Sequence, residues 1–78
     1  MPKQEPDYRR IMAHLRGRIE AGDLKPGQRI GTYQELAAEY GVGMTTVRTA
    51  LQMLGELGWL VGHQGKATYV AQDPPVGR

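Results

Sequence analysis

Three polar side chains gather at the start of one helical segment of this sequence: Thr45, Thr46 and Arg48. A threonine hydroxyl can donate a hydrogen bond to phosphate, and an arginine can pair with a phosphate or with the O6 and N7 atoms of guanine. The first backbone amides of a helix also attract phosphate. These groups indicate contact with nucleic acid, although the solvated face of an ordinary helix has a similar composition.

The surrounding segment supplies the elements that would position these side chains. Thr32 followed by Glu35 matches a capping box, which predicts that a short helix starts at the next residue, Tyr33. Gly41 is expected to close that helix in a left-handed conformation. The longer helix that follows repeats apolar residues at helical spacing, at Val47, Ala50, Leu51, Leu54 and Leu57. Two helices joined by a tight turn predict a helix-turn-helix, whose second helix, over residues 44–57, would enter the major groove of DNA.

A β-hairpin is predicted after the second helix. Trp59-Leu60-Val61 has the pattern of one strand, and residues 67–70 have the pattern of the returning strand. Gly65 would lie at the tip of the turn, where the absence of a side chain lets the backbone approach the minor groove. Lys66 could pair with phosphate. In isolation this would be a plain surface turn, but beside a helix-turn-helix it is interpreted as a wing, residues 63–67, at the minor groove.

A further helix precedes the helix-turn-helix. Asp7 can cap a helix that begins at Tyr8 and ends near Ala21. Pro26-Gly27 predicts a type II turn, and Arg29-Ile30 can form a very short strand. The predicted fold class is mainly α with a small β-hairpin, a three-helix winged helix-turn-helix. The predicted division of the chain is a flexible arm at 1–6, a winged-helix DNA-binding domain at 7–71 and a disordered tail at 72–78.

Composition excludes several other classes of protein. The chain has 78 residues, enough for one small domain, and a formal charge of +2, which permits binding to nucleic acid without indicating it unaided. It contains neither cysteine nor serine, and its two histidines, His14 and His63, lack the further ligands that a metal site needs. We therefore expect no enzyme activity, no cofactor and no bound metal. No apolar run approaches the roughly 20 residues of a membrane span, and the first residues lack the apolar core of a signal peptide, so we expect a cytoplasmic location.

From about Tyr8 to Val70 the chain resembles the DNA-binding domain of GntR-type bacterial transcription regulators. The matching segments are IEAGDLKPGQRI at 19–30, ELAAEYGV at 35–42, TTVRTAL at 45–51 and GWLVGHQGKATYV at 58–70. The resemblance implies a winged domain that binds palindromic double-stranded DNA operators as a homodimer and usually represses transcription. Family members usually carry a larger C-terminal domain that binds a metabolite. This chain ends eight residues after Val70, so it is expected to hold no small-molecule pocket, whether it is a stand-alone regulator or one domain of a longer protein.

The resemblance also assigns roles to individual residues. Thr45, Thr46 and Arg48 match family DNA contacts, Gly65 matches the glycine at the wing tip, and Thr32 stands where a serine commonly caps the second helix and touches phosphate. The predicted DNA-binding residues are therefore Thr32, Gln34, Met44, Thr45, Thr46, Arg48, Gly65 and Lys66.

This sequence departs from the family pattern at three positions. Gln34 and Met44 stand where the family often has arginines that contact DNA, and Gly43 replaces the usual capping serine. The loss of two cations predicts weaker attraction to phosphate and an altered base preference. Gln34 could still read adenine or hold a phosphate, and Met44 could pack against a thymine methyl group. The same departures keep an alternative open, a winged-helix protein-interaction module that does not bind DNA.

Overall fold

The computed structural model of the chain describes residues 7–62 and 67–77. Over these ranges the helices are α1 (Asp7–Ala21), α2 (Tyr33–Tyr40) and α3 (Met44–Glu56), and the strands are β1 (Arg29–Gly31), β2 (Leu60–Gly62) and β3 (Thr68–Val70). This is the predicted winged helix, with each helix in the predicted place. The predicted arm at 1–6 and the turn at 63–66 lie outside the described residues. In the described ranges, no helix has the length and apolar character required to cross a bilayer.

The three strands form one antiparallel sheet in the order β1-β3-β2. The predicted hairpin is present, with Leu60 opposite Val70 and Gly62 opposite Thr68. Trp59, which was predicted to begin the first strand, lies just before it. Its N–H donates to the carbonyl of Leu54 at 2.9 Å and so closes the turn that follows α3.

The core is formed by one face of each helix and by the sheet. Helix α3 is central, because it packs against both other helices and against β2. Its buried residues are Val47, Ala50, Leu51 and Leu54, which are four of the five apolar positions predicted from the sequence, while Leu57 is exposed. Their partners in the same cluster include Ile11, Leu15 and Ile19 of α1, Leu36 of α2, and Trp59, Leu60 and Val70. This packing fixes the orientation of α3 and therefore which of its side chains face outward.

The turn before β1 has the predicted geometry. The Gln28 N–H donates to the Lys25 carbonyl at 2.9 Å, and Gly27 has a φ of 81°. A positive φ at the third position of a four-residue turn defines type II and favours glycine there. The turn leads directly into β1, whose pairing with β3 connects the front of the helix-turn-helix to the hairpin.

Replacing Gly17 with alanine is expected to stabilise the domain by about 0.5–1 kcal/mol. Gly17 lies inside α1 and is exposed, and an added Cβ atom would meet no other atom within 4 Å, so packing does not require the glycine. Alanine would reduce the conformational entropy lost on folding. Urea unfolding followed by circular dichroism measures the change. Gly41→Ala is the matched control and should destabilise, because Gly41 has a φ of 68°. A loss of stability in Gly17→Ala would contradict this description of α1.

Candidate nucleic-acid interface

The start of α3 is an exposed polar surface. Met44 is 50% exposed, Thr45 and Arg48 are exposed, and Thr46 is half-buried. Because the apolar stripe of α3 holds the opposite side against the core, these side chains project away from it. Arg48 forms no ion pair with any residue in 7–62 or 67–77, so its guanidinium is available to an outside acceptor.

The first turn of α3 also leaves its backbone donors available. Gly43 occupies the predicted N-cap position with extended backbone, and no side chain caps the helix. An uncapped helix start presents amide N–H groups without intrahelical partners. These groups and Thr45 lie at the same end of the helix, so both hydroxyl and amide donors are present there. The Thr49 hydroxyl is different, since it donates to the carbonyl of Thr45 at 3.0 Å and is already used within the helix.

The start of α2 forms a second polar site. The capping box is present as predicted: the Glu35 N–H donates to the Thr32 hydroxyl oxygen at 3.0 Å, and the Thr32 N–H donates to the Glu35 carboxylate at 2.8 Å. The Thr32 hydroxyl therefore acts as an acceptor toward its own helix and keeps its proton for a partner outside. Gln34 is exposed beside it.

A tight turn fixes the position of α3 relative to α2. Gly41 adopts the predicted left-handed conformation, and its N–H donates to the Ala37 carbonyl. Val42 is half-buried and packs against the core from this turn. Just before the turn, the Tyr40 hydroxyl forms a 2.7 Å hydrogen bond with Nδ1 of His14 on α1. The partial burial of Tyr40, together with the nearby Glu39 carboxylate, raises its pKa, so the phenol stays protonated.

Glu35 is a carboxylate in the first turn of α2, and its charge is already paired within the chain. Its Oε1 accepts from the Thr32 N–H and from Nη2 of Arg29, each at 2.8 Å. The backbone hydrogen bond from Thr32 is the largest cause that lowers the pKa of Glu35, followed by the hydrogen bond from Arg29. The carboxylate thus remains ionised and bound to donors of its own chain.

Glu35→Gln should therefore change how stability depends on pH. A lowered folded pKa adds stability that is fully present above the pKa of a free glutamate and is lost as the pH falls through the folded pKa. Glutamine can keep the capping hydrogen bond but loses the charge, so the variant should be less stable than the parent at neutral pH, and the two should converge in acid. Urea unfolding across the acid range tests this. Glu39→Gln is the control, because Glu39 lies on the same helix and has no ion pair with a described residue. Parallel pH profiles for the parent and Glu35→Gln would contradict the assignment.

The predicted site residues divide into two groups. Thr32, Gln34, Met44, Thr45, Thr46 and Arg48 lie at the starts of α2 and α3, which the glycine turn holds together. Gly65 and Lys66 lie outside the described residues, between the paired ends of β2 and β3. Among residues 7–62 and 67–77, no group of three potential metal-ligating side chains is found.

A cleft that the sequence did not predict lies beside this surface. It has a volume of about 150 Å³ and lies between α2, α3 and the β2–β3 hairpin, with Tyr33, Gln52, Gly62 and Thr68 in its lining. Gln52 is recognisable in the sequence as a polar residue on the outer face of α3. Tyr33 and Thr68 could not be recognised in this way. They are 35 positions apart in the sequence, and only the packed sheet brings them to one cleft.

A three-helix core, a glycine turn, an exposed polar helix start and a small antiparallel sheet define a winged helix-turn-helix domain. The chain belongs to the GntR family: residues 7–70 match the family described as "Bacterial regulatory proteins, gntR family". The family predicted from the sequence is thereby confirmed. Because this is a family of regulatory proteins, the prediction that the chain is not an enzyme is confirmed at the level of the family.

Two curated relatives illustrate the similarity. The chain is 42% identical over 69 residues to the mannosyl-D-glycerate transport/metabolism system repressor MngR of Escherichia coli, covering 88% of this chain and 29% of the relative. It is 34% identical over 73 residues to the arabinose metabolism transcriptional repressor of Geobacillus stearothermophilus, covering 94% of this chain and 20% of the relative. The chain thus spans less than a third of the length of these relatives.

Solved structures with the same fold include DNA complexes. The DNA-binding domain of AraR in complex with operator ORX1 is 34% identical, with a TM-score of 0.82, covering 87% of this chain and 82% of that one. The N-terminal domain of AraR in complex with mutant ORR3 is 33% identical, with a TM-score of 0.83, covering 90% of this chain and all of that one. YtrA of Sulfolobus acidocaldarius, described as a GntR-family transcription factor, is 29% identical, with a TM-score of 0.82, covering 96% of this chain and 64% of that one.

Proposed function

We propose that this chain is the sequence-specific DNA-binding domain of a transcription repressor and that α3 occupies the major groove. The observation that carries the proposal is the exposed start of α3. There Thr45 and Arg48, which has no ion pair with a described residue, project from a helix that is fixed on its other side by the core. Positioned donors on a rigid helix suit the reading of base edges. The similarity to AraR domains described in complex with operators supports the same function.

The two helix starts would have different tasks on the duplex. Arg48 would pair with a guanine edge, and Thr45 and Thr46 would contact phosphate or base edges from the first turn of α3. Met44, which is apolar and half exposed, would pack against a thymine methyl group in place of an arginine contact. At the start of α2, Thr32 and Gln34 would donate to the sugar-phosphate backbone and so fix the register of the domain on DNA.

The hairpin would act as the wing. Gly65 would allow the backbone to approach the minor groove, and Lys66 would pair with phosphate. These two contacts rest on the sequence and on the family pattern. The antiparallel pairing of β2 with β3 supports them, because it brings the two ends of the connecting segment together.

Repression would follow from occupancy of an operator by two copies of the domain. A single winged module buries little surface, so a homodimer on a palindromic site would supply the affinity that one copy lacks. Such a regulator would act in the cytoplasm, where bacterial DNA lies. The relatives named as repressors support this sign of regulation.

Selection of bound duplexes from a random pool, followed by sequencing, tests the proposal. We expect enrichment of a palindromic consensus with half-sites about one helical turn apart, centre to centre. A consensus without two-fold symmetry would contradict dimeric binding. Failure to enrich any sequence would contradict sequence-specific recognition.

A further inference from the structure

The cleft between α3 and the hairpin is lined by Leu51 and Leu60 as well as by polar side chains. Its polar lining comes from the Tyr33 phenol, the Gln52 amide and the Thr68 hydroxyl, and its volume of about 150 Å³ leaves room for a group larger than one water molecule. No lysine, arginine or carboxylate side chain lines it. The site therefore offers neutral hydrogen-bond donors and no charge of its own.

Thr68 has a hydroxyl with no protein partner. The residue is only 4% exposed, and its hydroxyl forms no hydrogen bond with any residue in 7–62 or 67–77. In the same part of the chain, every fully buried side-chain nitrogen or oxygen has a partner. The Thr68 oxygen is therefore not fully enclosed, and Thr68 is one of the residues that line the cleft. A largely buried hydroxyl that is satisfied only from a cleft indicates a polar occupant.

Tyr33 and Gln52 complete this set of donors. Tyr33 is 37% exposed and Gln52 is exposed, and neither side chain hydrogen-bonds to a described residue. Gly62 also lines the cleft, and a Cβ added there would lie in ordinary contact with the Thr68 hydroxyl oxygen, at 3.9 Å. The three donors come from α2, α3 and β3, so the cleft exists only in the assembled fold.

Two residues of the cleft are neighbours of the proposed DNA-binding residues. Tyr33 lies between Thr32 and Gln34 in the chain, and Gln52 lies one helical turn after Arg48 on the same side of α3. A duplex that contacted both Arg48 and the hairpin would therefore pass over the opening of the cleft. Phosphates protrude from a duplex, whereas base edges are recessed in its grooves, so a concave site of neutral donors suits a phosphate.

We propose that this cleft binds one phosphodiester group of the DNA backbone in each half-site. The Tyr33 and Thr68 hydroxyls and the Gln52 amide donate to its non-bridging oxygens. The proposal rests on the proposed DNA-binding function and extends it, because Tyr33, Gln52 and Thr68 are not among the DNA-binding residues predicted from the sequence. Neutral donors do not neutralise the phosphate, so they release no counterion from the DNA. The contribution of this contact to affinity should therefore not depend on salt concentration.

Tyr33→Phe and Thr68→Val test the contact by removing one hydroxyl each at nearly constant shape. Each should weaken binding of a selected duplex by about tenfold, since a hydrogen bond to a charged group is lost. The slope of log K against log salt should stay at the parent value. Thermal unfolding checks that both variants fold. If Thr68→Val does not fold, Tyr33→Phe still tests the contact, because Tyr33 is exposed and its change should not disturb the core. Parent affinity in Tyr33→Phe would overturn the proposal.

Placing a negative charge in the cleft gives a second test. Gln52→Glu places a carboxylate in the cleft and should weaken binding more than tenfold, since like charges would meet at close range. Gln72→Glu is the matched control, because it makes the same change in net charge outside the cleft and should weaken binding much less. Equal losses in the two variants would show that the cleft holds no phosphate.

Methylphosphonate substitution identifies the phosphate itself. At one position in each half-site, replacing a non-bridging oxygen by methyl should cause a loss that Tyr33→Phe does not increase, because both changes break the same contact. Additive losses at every position would overturn the proposal. If the parent chain binds no duplex, the proposed function fails and this assignment fails with it. If the parent binds while all cleft variants bind equally well, only the assignment fails.

Discussion

We expect Arg48→Ala to weaken binding of the selected duplex by about 1–3 kcal/mol, or roughly 5- to 150-fold, and to relax the preference for one base pair in each half-site. The guanidinium is exposed on the outer face of α3 and is unpaired within residues 7–62 and 67–77, so no internal contact competes for it. Truncation removes both a charge and a bidentate donor. Fluorescence anisotropy with the selected duplex and with its single-base-pair variants measures both effects.

Arg9→Ala is the matched control for this experiment. Arg9 is an exposed arginine of α1 and, like Arg48, forms no ion pair within the described ranges, but it lies on a different helix from the proposed contacts. It should lower affinity slightly and equally for all sequences, because it changes net charge alone. Equal losses for Arg48→Ala and Arg9→Ala, with specificity unchanged, would contradict the placement of α3 in the major groove.

Leu54→Ala destabilises the domain by about 2–5 kcal/mol. Leu54 is 0% exposed at the centre of the cluster that joins α3 to α1 and the sheet, so truncation leaves a cavity among well-packed neighbours. A domain of 78 residues has a free energy of unfolding of about 4–12 kcal/mol in all. The variant should therefore lose a large part of its stability and of its DNA binding, because the start of α3 would no longer be held in place. Urea unfolding gives the difference directly.

Leu57→Ala is the control for the core. The two leucines are three residues apart, but Leu57 is 56% exposed, so its truncation should change stability by less than about 1 kcal/mol. A similar loss in both variants would mean that burial does not distinguish these positions. That result would contradict the described orientation of α3, on which the exposure of Thr45 and Arg48 depends.

Much of this fold can be predicted from the sequence, because the helix faces and helix ends depend on interactions between residues that are close in the chain. The spacing of Val47, Leu51 and Leu54 specifies one buried face of α3, and everything opposite that face is exposed as a consequence. The capping box at Thr32 and the left-handed Gly41 depend only on residues within four positions of each. Both helix starts of the candidate site could therefore be located before any tertiary contact was known.

Features that depend on distant residues could not be predicted in this way. The sequence indicated a short strand near Arg29 but not its pairing with Tyr69, which requires the hairpin to pack beside the helix-turn-helix. Trp59 is a residue type common in strands, but it lies in the turn after α3, where its N–H donates to the Leu54 carbonyl. The cleft was missed for the same reason, since Tyr33 and Thr68 each look unremarkable until the sheet places them together.

The departures from the family pattern have a clear physical meaning in the structure. Gln34 and Met44 are both exposed, so no internal contact explains the absence of arginine at either position. If these residues line a DNA interface as proposed, that interface carries fewer cations than the family pattern and would depend more on neutral contacts. The neutral donors of the cleft would therefore contribute a larger share of the affinity for DNA than they would in a domain with both arginines.

The salt dependence of binding to duplex DNA tests the central claim most directly. We predict that the folded chain binds random duplex at low salt and that log K falls linearly with log salt, with a slope of about −0.9 for each phosphate neutralised. The selected duplex should bind more tightly at every salt concentration. A folded chain that shows no detectable binding at low salt would contradict the account and would favour a protein-interaction module instead.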